Sequence, residues 1–145
     1  MELRSLLWPT DLSENAKKAL TFLRSISDKY NTEIHILYVQ ENIGPFGSWY
    51  GEFDQTEAEK IRELDRKKAE DSLDKICESY LSGCPYFRRH TATGDPANEI
   101  LKFIDKEKPD MVVMSKIGEK GHFNVGNVTG RVIRHSKVPV LVIPV

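Results

Sequence analysis

Cysteine is scarce in this chain of 145 residues, with only Cys77 and Cys84. Two cysteines build no disulfide framework, and no second Cys or His pair completes a metal-ligand spacing around them. Both read as ordinary reduced thiols. A basic excess is missing as well: 21 Lys and Arg stand against 22 Asp and Glu, for a net charge of -1. That balance argues against a nucleic-acid-binding protein. No apolar run approaches the ~20 residues of a membrane span. The opening Met1 to Pro9 is a short strand-like run rather than a signal peptide. The expectation is a cytoplasmic protein with no nucleic-acid or membrane partner. Internal repeats, low-complexity linkers, a Ser-His-Asp constellation and a metal-ligand cluster are all lacking, so catalysis has little to stand on.

What is present is a chain long enough for one domain that buries roughly two thirds of its unfolded surface. Charged residues make up 30% of it and alternate in sign. Leu3 to Trp8 is apolar, stops at Pro9 and reads as a buried strand. Asp11-Leu12-Ser13-Glu14 reads as a capping box, with Asp11 or Ser13 as the N-cap. Ala16, Ala19, Leu20, Leu23, Ile26 and Tyr30 then share one helical face. Ile34 to Val39 is a second strand. Gln40 to Asp54 is irregular, with Trp49 and Tyr50 among glycines. A charged helix is expected from Thr56 to Leu81, with Ile61, Leu64, Leu73, Ile76 and Tyr80 inward. Tyr86 to Thr93 forms a third strand. Pro96 opens a helix running to Lys106, Asp110 to Met114 is a fourth strand, and Val140 to Val145 a fifth. Strands alternating with helices predict an α/β fold: an open, doubly wound parallel sheet with helices on both faces. Ligands on such sheets bind outside the carboxyl ends of the strands.

The segment from Met114 to Val145 says most about function. A buried strand end leads through a loop containing Gly118, Gly121 and Gly126 into a short helix. Glycines let backbone N–H groups approach a phosphate, and a helix start offers unpaired donors and a partial positive charge. Nucleotide binding is thus the first functional expectation. Of the four histidines, His122 reads as a solvated loop residue and His135 as a complement to a helix C-terminus. His35 and His90 fall in strands with no partner visible from the sequence.

Five segments in order resemble the universal stress protein A family across the whole chain: Ser5 to Glu14 with its Pro9-Thr10-Asp11-Leu12-Ser13, Ile36 to Val39, Gly94 to Ile100, Lys108 to Met114, and Val128 to Val142. The resemblance implies a Rossmann-like sheet ordered 3-2-1-4-5 and a small stress-response sensor or regulator. It further implies ATP, carrying Mg²⁺ on its phosphates, in a crevice formed by Thr10, Asp11, Val39, Met114, Gly118, Gly126, Asn127, Val128 and Thr129. Asp11 would reach the adenine or ribose region, and Val39 would contact adenine through its backbone. ATP-binding members carry Gly-x2-Gly-x9-Gly-(Ser/Thr). Here either Ser115 stands at the first glycine and seven residues separate Gly118 from Gly126, or Gly118-x2-Gly121 is the opening pair and only four residues follow; in both registers the loop is short and Asn127 replaces the hydroxyl residue. The alternative is a family member without nucleotide, acting through dimerisation and protein partners. An enzyme of nucleotidyl transfer is the weakest reading: Met114-Ser115-Lys116 faintly echoes a synthetase loop, but no His-x-Gly-His follows Asp11. The apolar Val138 to Val145 would lie at the sheet edge in that order, which invites a homodimer through the C-terminal strand.

Overall fold

The computed structural model describes residues 2–12, 17–40, 55–79, 87–115 and 128–144. Strands β1 (Ser5–Thr10), β2 (Glu33–Gln40), β3 (Phe87–Thr93), β4 (Met111–Ser115) and β5 (Val140–Ile143) form one sheet ordered β3-β2-β1-β4-β5. Every neighbouring pair is parallel. Helices α1 (Ala19–Tyr30), α2 (Gln55–Ser79), α3 (Pro96–Glu107) and α4 (Val128–His135) cover it. The expected open, doubly wound sheet and its order are what the chain forms.

The alternation of side chains along the strands divides the core in two. Leu6 and Trp8 of β1, Ile34 and Ile36 of β2, and Val113 of β4 meet Ala19, Leu20 and Leu23 of α1 and Leu73, Ile76 and Cys77 of α2. On the opposite face Leu7, Leu37, Val39, Val112 and Met114 meet Ala97, Ile100 and Ile104 of α3 and Val128 and Val132 of α4. Near-continuous apolar strands are what a sheet buried on both sides requires.

Three expectations need correction. β1 does not end before Pro9 but runs through it to Thr10, where Pro9 pairs with Leu37 and Thr10 with Tyr38. Pro9 has no N–H to offer β4, and the β1–β4 ladder ends at Leu7–Val112, just before it. Tyr30, expected inward, is exposed, and Ser27 is buried in its stead, its hydroxyl donating to the Thr32 carbonyl at 3.0 Å. Ile61 and Leu64, also expected inward, are exposed at 42% and 60%. The cause is length. Helix α2 has 25 residues, about 37 Å, whereas the eight residues of β2 span about 26 Å. Among its described side chains, from residue 59 on, buried positions begin at Ala69, so residues 59–68 extend beyond what the sheet can cover. The described part of α1 begins after Lys18, which is helical and offers no side-chain cap. Ser13 and Glu14 of the expected capping box, the Trp49-Tyr50 loop and Tyr80 lie outside the described residues.

Candidate functional site

The amino ends of the central strands are tied together. Asp110, just before β4, accepts from the backbone N–H groups of Arg4 at 2.8 Å and Ser5 at 3.0 Å, and its own N–H donates to the Ser5 carbonyl at 2.9 Å. The carboxyl ends differ. Pairing of β1 with β2 continues to Thr10–Tyr38, while pairing of β1 with β4 occupies only Leu6–Met111 and Leu7–Val112. β1 sits at the point where the strand order reverses, with β2 and β3 on one side and β4 and β5 on the other. Doubly wound sheets hold ligands outside the strand carboxyl ends at this point of reversal.

Of the nine expected site residues, six are described, and five of these have a defined setting at this end of the sheet. Thr10 is fully buried, and its hydroxyl oxygen accepts from the Leu12 N–H at 2.9 Å. That local turn brings Leu12 into a left-handed backbone, φ 64°, and turns the chain away from the sheet beside the half-buried Asp11. Val39, Met114 and Val128 pack in one core cluster, exposed by no more than 6%. These side chains belong to the core, so the groups they can offer a ligand are mainly backbone ones. Thr129, fully buried in the first turn of α4, donates its hydroxyl to the Ser115 carbonyl at 3.3 Å. This bond ties the start of α4 to the end of β4. Gly118, Gly126 and Asn127 lie outside the described residues.

Two further contacts at this end escaped the sequence reading. The Gly94 N–H donates to the Gln40 carbonyl at 2.9 Å, joining the carboxyl ends of β2 and β3. Asp95 caps α3 by accepting from the Asn98 N–H at 3.0 Å, and Arg131 of α4 reaches across with a fork, Nη1 to Asp95 at 2.9 Å and Nη2 to the Asn98 side chain at 2.8 Å. The Asp-Pro helix start was legible. Its arginine partner 36 residues away, on another helix, was not.

Among the described residues no group of three or more His, Cys, Asp or Glu side chains could hold a metal ion. No described helix is long and apolar enough to cross a membrane. Cys77 is buried and free, and burial pushes its thiol above the ordinary range, the opposite of an activated nucleophile. Cys84 lies outside the described residues.

The fold is that of a small doubly wound α/β protein. Within that class the chain belongs to the universal stress protein family, whose sequence model matches residues 2–144. A curated relative, the universal stress protein MJ0531 of Methanocaldococcus jannaschii, is 29% identical, covering 97% of this chain and 81% of its own. The solved structure of MJ0577, a protein of the same organism, superposes with a TM-score of 0.82 at 21% identity, over 100% of this chain and 98% of that one. A universal stress protein family member from Arabidopsis thaliana, solved with AMP bound, gives 0.68 at 19% identity, over 97% and 91% of the two chains.

Proposed function

We propose that this protein binds an adenine nucleotide, ATP with Mg²⁺ on its phosphates, and works as a stress-response sensor or regulator in the cytoplasm. The observation that carries this reading is the place of β1 at the reversal of strand order, with Thr10, Val39 and Met114 at the carboxyl ends of the strands and Val128 and Thr129 at the start of α4. The crevice suits the ligand in parts. Its floor is apolar, as a purine ring requires, and its rim is strand-end backbone and the first turn of α4, which suit hydrogen bonding to ring, ribose and phosphate. Asp11, at the rim, is placed to meet ribose or adenine. Gly118, Gly126 and Asn127 complete the phosphate side in this reading. A relative of the same fold holding AMP supports it.

The protein is also proposed to act as a homodimer through β5. That strand is the sheet edge, and Val140, Leu141 and Val142 are only half-buried. An apolar edge that remains open is satisfied by pairing with a second copy.

The test is calorimetry with ATP and Mg²⁺, together with mass spectrometry of small molecules released by denaturing freshly purified protein. Binding is expected in the wild type and lost in Gly126→Val, whose circular dichroism and urea midpoint should stay near wild type. No heat at millimolar ATP and no released nucleotide would move the assignment to a nucleotide-free regulator acting through its dimer and protein partners.

A further inference from the structure

The two strand histidines that looked unpartnered in the sequence are partners of each other. In the β2–β3 register His35 pairs with Arg88 and Leu37 with His90, so the two rings are diagonal neighbours on the face covered by α3. His35 Nδ1 and His90 Nε2 lie 3.0 Å apart, and the ring centroids 5.2 Å. Phe103 of α3 meets both rings edge-on, at 5.6 Å from His35 and 4.8 Å from His90. His35 is 7% exposed, and His90 is half-buried. The charged groups facing the pair come from all three elements. β2 contributes Glu33, whose Oε1 is 3.9 Å from His35 Nε2; β3 contributes Arg88, paired with Glu33 at 2.6 Å; α3 contributes Glu107.

Counting protons limits what this contact can be. Two imidazoles have four ring nitrogens. A hydrogen bond between them needs one nitrogen with a lone pair, so the pair can carry at most three protons: one imidazolium and one neutral ring. With a single charge on the pair, one neutral ring remains to accept. A second charge removes the acceptor, sets two cations against each other, and places one against Phe103 with little water around it.

We propose that the His35–His90 pair is an acid-sensitive latch that pins the edge strand β3 to β2 beneath α3 and opens when the second proton binds. β3 has a ladder neighbour on one side only, so side-chain ties to β2 count for more there than in the middle of the sheet. Beyond the latch β3 continues into Gly94 and the cap of α3. Opening would therefore loosen β3 and α3 together and leave β1, β4 and β5 in place. The direction of the His90 pKa agrees. Burial first, then the His35 charge and Arg88, hold it below the usual 6.5, against the opposing pull of Glu107 and Glu33. For a folded-state pKa below the unfolded one, the latch's contribution is constant above pH 6.5. It declines as the pH falls below that value and levels off below the folded pKa.

Urea unfolding from pH 7.5 to pH 5, on the wild type and on His90→Gln, tests this. The glutamine keeps an acceptor for His35 and cannot take a charge. The wild-type unfolding constant should rise below pH 6.5 by up to about tenfold per pH unit more than that of the variant. Ring nitrogen NMR of the wild type, which does not depend on the variant folding, should show His90 titrating below 6.5. Amide exchange in β3 should quicken at pH 5.5 relative to β4. Parallel pH profiles for the two proteins would overturn the latch. So would a His90 midpoint at or above 6.5, or β3 exchange unchanged relative to β4.

Discussion

Replacing Asp95 by Ala removes two contacts made by the same carboxylate oxygen, and the structure sets the size of each. The first is the N-cap of α3, a 3.0 Å bond from the Asn98 N–H. Losing a cap of this kind costs about 1 kcal/mol. The second is the ion pair with Arg131 at 2.9 Å, whose side chains are 40% and 47% exposed. Solvent screening at that exposure limits it to about 0.2–1 kcal/mol. Arg131 retains its bond to the Asn98 side chain at 2.8 Å, so it is not stranded by the change. The expected loss for Asp95→Ala is about 1.5 kcal/mol, which lowers the melting temperature by roughly 3–6 °C in a domain of this size. Asp95→Asn keeps the acceptor and gives up the charge, so it should cost under about 1 kcal/mol. Urea denaturation of the two single variants, Arg131→Ala and the double variant Asp95→Ala/Arg131→Ala closes the cycle, with a coupling of about 0.5 kcal/mol expected. Equal losses for Asp95→Asn and Asp95→Ala would refute the reasoning, because the cap would then contribute nothing.

Two further outcomes follow from the backbone and the sheet edge. Gly94 sits at φ +147°, and an added Cβ would meet Glu99 Oε1 at 2.9 Å. The glutamate is flexible and yields, so the backbone conformation dominates; Gly94→Ala should cost about 1–3 kcal/mol in urea unfolding, and a loss under about 0.5 kcal/mol would show that the turn relaxes. Leu141→Lys places a charge on the half-buried outer strand β5 and should convert a dimer to monomers in sedimentation at micromolar concentration. Wild-type protein sedimenting as a monomer would remove the proposed dimer altogether.

The layout of the sheet was legible because burial on both faces leaves a strong mark: Ile36 to Val39 and Met111 to Met114 can hardly be anything but inner strands. Pro9 misled, since a proline normally ends a central strand: here it ends the ladder to β4 only, and β1 runs on to Thr10 paired with β2. Helical periodicity gave the correct face of α2 at Leu73 and Ile76 and the wrong environment at Ile61 and Leu64. Periodicity reports direction, whereas burial also depends on whether a neighbour is there to meet the side chain. The site divides in the same way. Thr10 and Thr129 were identifiable from the segments that flank the crevice. Their actual bonds, to Leu12 and to Ser115, depend on where the chain turns after a strand end. The His35–His90 contact was invisible because it joins residues 55 apart and depends on the β2–β3 register.

That division has a physical origin in the two poles of the sheet. At the amino pole the ties are local to the ladder: Asp110 to Arg4 and Ser5, the Glu33 N–H to the Arg4 carbonyl at 2.9 Å, and the Val112 N–H to the Pro139 carbonyl at 2.9 Å. They hold adjacent strands in register. At the carboxyl pole the ties run around the crevice instead: Gly94 to Gln40, Arg131 to Asp95, Thr129 to Ser115. Gly94–Gln40 and Thr129–Ser115 each join elements on one side of the switch point, whereas Arg131–Asp95 spans it, from α4 after β4 to the cap of α3 after β3. All five strands and their pairing are accounted for by residues outside 116–127. A glycine loop shorter than the family pattern can therefore change what the crevice holds without altering the ladder. This is why fold and ligand are separate questions in this chain, and why Gly126→Val is expected to act on binding while leaving the urea midpoint near wild type.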